Sequence, residues 1–125
     1  MKKEGILNAD LARVVAALGH TDALVIGDAG LPVPPGVRVI DLAVTRGLPR
    51  FWPVLDAVLS EMVVERAAVA EEAGPEVRAG FAQRLTPKTV PHAELKALSA
   101  GAVCLVRTGE VVPYTNVILW SGTGF

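Results

Sequence analysis

The chain predicts an α/β fold: a single domain over residues 1–125, built as a three-layer α/β/α sandwich around a mainly parallel, mixed central sheet. Three observations carry this expectation. Strand-like and helix-like segments alternate along the chain, the pattern of a parallel sheet with helices on both faces. The stretches "DALVIGD" (22–28) and "AVCLV" (102–106) are nearly continuously apolar, as strands buried on both faces are. Apolar residues make up 51% of the chain and charged residues only 20%, a surplus expected to end in such strands and in a subunit interface.

The elements follow in order. "NADLARVVAALGH" (8–20) reads as a helix, with Asn8 as N-cap and Asp10 at the positive end of the dipole. Leu11, Val14, Val15 and Leu18 form its apolar stripe, and Gly19 suits a left-handed C-terminal position. "DALVIGD" is the first strand and "GVRVIDLAV" (36–44) the second. "GLPRFWPVLDAVLSE" (47–61) is helical, with Phe51, Val54, Leu55, Val58 and Leu59 on one face and Pro53 in the first turn. Residues 62–70 read as a strand from their Val-Val start, and "EEAGPEVRAGFAQRL" (71–85) as a short, glycine-interrupted helix. "PHAELKALSA" (91–100) is helical after Pro91, "AVCLVRTGE" (102–110) is a strand ending in a turn, and Val117–Trp120 is the last strand.

Composition narrows the function. Twelve basic and 13 acidic residues are scattered, giving a net charge of −1, so no basic stripe exists to neutralise nucleic-acid phosphates. The longest apolar helical run is broken by Arg13 and too short to span a membrane. Glu4 and Asp10 stand where a signal peptide needs an apolar core, so a cytoplasmic protein is expected. The single cysteine, Cys104, has no internal disulfide partner and reads as a core residue. Neither a phosphate-binding loop nor a dinucleotide fingerprint occurs, and no serine sits in a nucleophile elbow. No cofactor is expected. A metal held by His20, His92 and Asp28 is conceivable, but nothing in their spacing demands one.

Several polar residues stand at element ends. His20 lies between a helix end and a strand, where it also suits the helix dipole. Asp22 fits a turn that binds its own backbone. Asp28 ends the first strand among small residues ("GDAG"), where ligands of such sheets bind, although it could equally cap a turn. Tyr114 and Asn116 alternate before the last strand, so both side chains are expected on one face. His92 and Lys96 are four apart on one helix face, which for Lys96 also fits a solvated surface. Two imidazoles, a carboxylate, a phenol, a carboxamide and a lysine make a site that binds several hydroxyls and moves protons, which points to a sugar.

"GHTD…DAGLP" and "RTGE…PY.N", with "HAELK" and "GLPRFWPVLDAVLSEMVVERAAVAEE", resemble the D-ribose pyranases, the ribose branch of the sugar mutarotase family that includes the L-fucose mutarotases. The resemblance covers nearly the whole chain. It implies a cofactor-free and metal-free isomerase exchanging the β-pyranose and β-furanose forms of D-ribose, assembled as a homodecamer with sites at subunit contacts. It also implies His20 as proton donor and Asp28, His92, Tyr114 and Asn116 as sugar contacts, with Lys96 a secondary candidate. The chain departs from the family pattern at Pro91, at Trp120 and in a shorter segment after "AVAEE". Two other readings stand beside it: a non-catalytic sugar-binding partner of a ribose uptake system, and a mutarotase for another aldose such as L-fucose. A small metal-dependent hydrolase is a third.

Overall fold

The computed structural model describes residues 1–125. Helix α1 (Ala9–Ala17) leads to β1 (Ala23–Gly27) and β2 (Arg38–Asp41). Helix α2 (Phe51–Leu59), β3 (Val64–Ala70), α3 (Pro75–Ala82) and β4 (Lys88–Val90) follow. Helix α4 (His92–Ser99), β5 (Cys104–Arg107) and β6 (Val117–Ser121) complete the chain. The six strands form one sheet in the order β2-β5-β1-β6-β3-β4. Five run in one direction; β6 runs against its neighbours β1 and β3.

Strand alternation divides the core. Leu24 and Ile26 of β1, Cys104 and Val106 of β5, and Val117 and Leu119 of β6 face one side. There they join 14 other buried residues, among them Leu11 and Val14 of α1, Val54, Leu55 and Val58 of α2, and Val77 and Phe81 of α3. Val25, Leu105 and Ile118 face the other side, in a smaller cluster of nine with Leu95 of α4, Leu31 and Val90. The layers are therefore unequal. Three helices cover one face, whereas α4 and the extended segment around Leu31 cover the other. On that thinner side Val39, Leu98 and Val103 remain 40–46% exposed, and Trp120 is only half-buried beneath the Arg66 guanidinium.

Most expected elements are present, with four corrections. The second strand spans only Arg38–Asp41, because the chain turns away before Val44 to meet the 45–48 hairpin. Gly19 is not left-handed; α1 leaves through an extended Leu18, and Thr21 takes the left-handed conformation (φ 72°). The strand after α2 begins at Val64 rather than Met62. Finally, β4 was unforeseen: "KTV" has too few residues for a period to register, and only its pairing with β3 makes it a strand. The Asn8 side chain does cap α1, accepting from Leu11 N at 2.9 Å.

Helix α3 is short and interrupted by Gly80, so intrinsic propensity holds it poorly. Its anchor is Phe81, edge-on to Phe51 (5.5 Å) and Trp52 (5.0 Å) of α2. Phe81→Ala is expected to cost about 3–5 kcal/mol of unfolding free energy in a denaturant titration, the range for emptying a buried aromatic site.

Candidate functional site

The direction of β6 creates the site. Because it opposes the other strands, its entrance lies beside their exits. The loop after β1 (Asp28–Leu31), the start of α4 after β4 (His92), the segment after β5 (Glu110–Pro113) and the lead into β6 (Tyr114, Asn116) therefore meet around one cleft of about 550 Å³. Arg46, from the loop after β2, closes its edge.

Asp28 and Asn116 are bound to each other. The Asp28 backbone N–H donates to Asn116 Oδ1 at 2.9 Å, an 88-residue separation closed by the β1–β6 pairing. Gly27 makes this approach possible, since a Cβ there would stand 3.1 Å from Asn116 Oδ1 and 2.7 Å from Leu31 Cδ2. One Asp28 oxygen accepts from Gly30 N at 3.0 Å, so the turn-capping role holds alongside any ligand role. Burial pushes the Asp28 carboxyl above the ordinary aspartate range, against the opposing pull of the Gly30 N–H and the Asn116 side chain. Its carboxylate is thereby a stronger base than that of a free aspartate.

His92 is the first residue of α4, and its backbone N–H is capped by Glu72 at 2.9 and 3.1 Å. The imidazole stands edge-on to the Tyr114 ring, with centroids 5.0 Å apart at 79°. Its Nδ1 is sealed from solvent without a hydrogen-bond partner. Tyr114 reaches the cleft by a different route from the one expected. It occupies a left-handed turn (φ 60°) rather than an extended, alternating segment, so the turn and not strand periodicity brings it beside Asn116.

The sequence reading missed Glu110 and Arg46. The Glu110 side chain is fully buried, and each oxygen is engaged twice. Oε1 accepts from Arg50 Nε (2.8 Å) and Phe51 N (3.2 Å), and Oε2 accepts from Val111 N (3.1 Å) and Val112 N (3.2 Å). Its main chain continues the tie: the carbonyl accepts from Ala29 N, and its N–H donates to Thr108 Oγ1, which donates to Gly27 O. Burial raises the Glu110 carboxyl, but Arg50 and the backbone donors outweigh it and hold the group below the ordinary glutamate range. It stays ionised and has no acceptor site to spare, so it supports the cleft without exchanging protons.

Two candidates lie elsewhere. Lys96 is exposed on α4 and does not line the cleft. His20 sits before β1, at the opposite end of the sheet from Asp28; the four residue steps of β1 alone separate the two ends by about 13 Å. There its Nε2 lies 3.0 and 3.1 Å from the two Glu65 oxygens. Within one chain, His20 therefore does not meet Asp28 and His92. Asp22 accepts from Gly19 N at 2.8 Å, as its turn position suggests. Cys104 is fully buried in the core, its thiol pushed up by desolvation.

A folded-state carboxyl held low contributes stability that is complete above its unfolded value and is lost as pH falls through its folded value. Glu110→Gln is therefore expected to cost about 2 kcal/mol at neutral pH. The gap from wild type should close in acid, as followed by urea unfolding across pH.

The model of the RbsD / FucU transport protein family matches residues 1–124. The chain is similar to the D-ribose pyranases of Laribacter hongkongensis (54% identical over 131 residues) and Paracidovorax citrulli (55% over 130), with 100% of both sequences covered in each case. Among solved structures it is similar to Bacillus subtilis RbsD complexed with D-ribose, at a TM-score of 0.94 and 42% identity over 100% of both chains.

Proposed function

The chain belongs to the RbsD / FucU transport protein family, and we propose that it is a D-ribose pyranase, an isomerase that exchanges the β-pyranose and β-furanose forms of D-ribose. The observation that carries this reading is the convergence of Asp28, His92, Tyr114 and Asn116 from three separate segments onto one cleft. These groups hydrogen-bond hydroxyls and move protons, and the cleft lining holds no serine, threonine, cysteine or lysine. Similarity to a relative solved with D-ribose supports that sugar as substrate.

The reaction needs little more. A proton leaves the anomeric hydroxyl, its O–H electron pair becomes the carbonyl bond, and the bond from C1 to the ring oxygen breaks as that oxygen takes up a proton. Reclosure through a different hydroxyl reverses these steps, so no proton or electron is gained overall. A positioned acid or base contributes about 10²–10⁴-fold to such a step. His20 exchanges the proton, as an imidazole can in both directions near neutral pH. Asp28, made more basic by burial, orients the sugar or shares the transfer. Tyr114, Asn116 and His92 hold the remaining hydroxyls while the aldehyde is open, and Lys96 contributes at most from outside the cleft.

The position of His20 gives the proposal its assembly. A chain whose cleft lies at one end of the sheet and whose His20 lies at the other completes the site only through a neighbour. We therefore read the enzyme as a homo-oligomer, the homodecamer of the family resemblance, with sites at subunit contacts and a cytoplasmic location. The exposed apolar residues Val111, Val112 and Tyr114 beside the cleft, and Val39, Leu98 and Val103 on the thin face, supply surface for such contacts. No helix is long and apolar enough to cross a membrane.

The absence of His20 from its own chain's cleft also favours a second reading, a sugar-binding protein without catalysis. Proton NMR saturation transfer on D-ribose separates the two. Wild type is expected to accelerate pyranose–furanose exchange, and His20→Ala is expected to fold and lose it. A folded His20→Ala protein with wild-type exchange would overturn the assignment.

Mixing tests the assembly. His20→Ala and Asp28→Asn are each expected to be inactive. Co-refolded in equal amounts, they should recover about a quarter of wild-type activity, because that share of contacts pairs an intact His20 with an intact Asp28. No recovery in mixed oligomers would exclude shared sites.

A further inference from the structure

We propose that Glu65 is the positioning residue of His20: its carboxylate accepts a hydrogen bond from Nε2–H, so the neutral imidazole exchanges protons through Nδ1. This rests on the reading of His20 as the proton-exchanging group.

The geometry points one way. His20 Nε2 lies 3.0 Å from Glu65 Oε1 and 3.1 Å from Oε2. An ionised carboxylate only accepts hydrogen bonds, so a neutral imidazole in this contact carries its hydrogen on Nε2. Nδ1 is then left with a free lone pair, and it is the nitrogen available to a sugar hydroxyl.

Two departures from regular backbone and one glycine build this contact. On the histidine side, Thr21 is left-handed (φ 72°), and the turn is pinned to the end of β6 by Thr21 N to Ser121 O and Ser121 N to Asp22 O, both 2.8 Å. On the carboxylate side, the β3–β6 register slips between Val64 and Arg66, so Glu65 is the extra residue of a β-bulge. A bulge re-aims a side chain that regular pleating would point elsewhere. On the third side, Gly122 makes room: a Cβ there would stand 3.0 Å from Glu65 Cβ.

Stability does not explain these departures. The His20 and Glu65 side chains are 52% and 50% exposed, and exposed ion pairs contribute little to folding. A left-handed threonine carries a cost, and backbone strain of this kind gathers at functional sites. The surroundings are also open. Thr21, Glu65, Arg66 and Trp120 line a recess of about 410 Å³ beside the pair, and the Arg66 guanidinium lies over the Trp120 ring at 4.0 Å. The pair thus stands at a surface that a second copy can approach.

The test reads both the tautomer and the turnover of the intact protein. Long-range ¹H–¹⁵N spectra at mildly alkaline pH are expected to show His20 with its hydrogen on Nε2. Glu65→Gln should lose that bias, because a carboxamide can donate as well as accept. Its turnover at saturating D-ribose should fall by about 10- to 100-fold with KM little changed, a catalytic loss that a merely structural role would not isolate. Glu65→Asp, which keeps the acceptor on a shorter arm, should recover part of the turnover. Wild-type turnover in a folded Glu65→Gln protein would overturn the proposal. The wild-type tautomer needs no variant, and a ring carrying its hydrogen on Nδ1 overturns it whatever the variants do. A wild-type protein with no exchange activity would instead bring down the proposed reaction, while the tautomer would still decide whether Glu65 orders the ring.

Discussion

The antiparallel seating of β6 is the constraint on which the rest depends. It is the only strand joining β2-β5-β1 to β3-β4, and without it the sheet falls into two parallel pieces. Its first three residues, Val117, Ile118 and Leu119, are completely buried and serve both faces of the core. The opposed direction also delivers Tyr114 and Asn116 to the exits of its neighbours. A sixth strand running parallel would have sent them to the other end, away from Asp28.

Two carboxyl groups in this cleft are displaced in opposite directions, and the reason is the charge of their partners. Glu110 is the more deeply buried, yet four N–H groups converge on it and stabilise its charge. Asp28 is half-buried and its partners are all neutral, so desolvation wins. One group thereby becomes a fixed anchor joining β1, α2 and the approach to Tyr114, and the other holds its proton more tightly than a free aspartate does. Environments that push similar groups apart divide structural from chemical work between them.

Much of this was legible from local chemistry. The Asn8 cap, the continuously apolar β1 and the stripe of α2 are short-range signals, and each element formed where its signal lay. Asp28 was legible because "GDAG" places an acid at a strand exit among residues too small to obstruct it. Strand direction was not: the β1–β6 contact spans some 90 residues, and nothing within either strand encodes its sense. Glu110 was invisible for the same reason, since its partner Arg50 is 60 residues away and an isolated "TGE" reads as a turn. Tyr114 was identified on periodicity that the structure does not follow, because left-handed backbone at a tyrosine leaves no trace in a polar/apolar pattern. His20 was legible as a residue, but its distance from the cleft was not, since a strand's length matters only once both its ends have a use.

That same strand length governs how the fold can change. The five residues of β6 separate Asn116, just before the strand and bonded to Asp28, from the turn that carries His20, to which the last of them, Ser121, is bonded. The strand acts as a ruler with a functional mark at each end. Because side chains alternate with a period of two, inserting or deleting one residue would invert every core contact between the marks as well as shift one mark against the other. The loops after β1 and β2, where Gly30 and Arg46 edge the cleft, can change length without moving either mark, whereas β6 cannot.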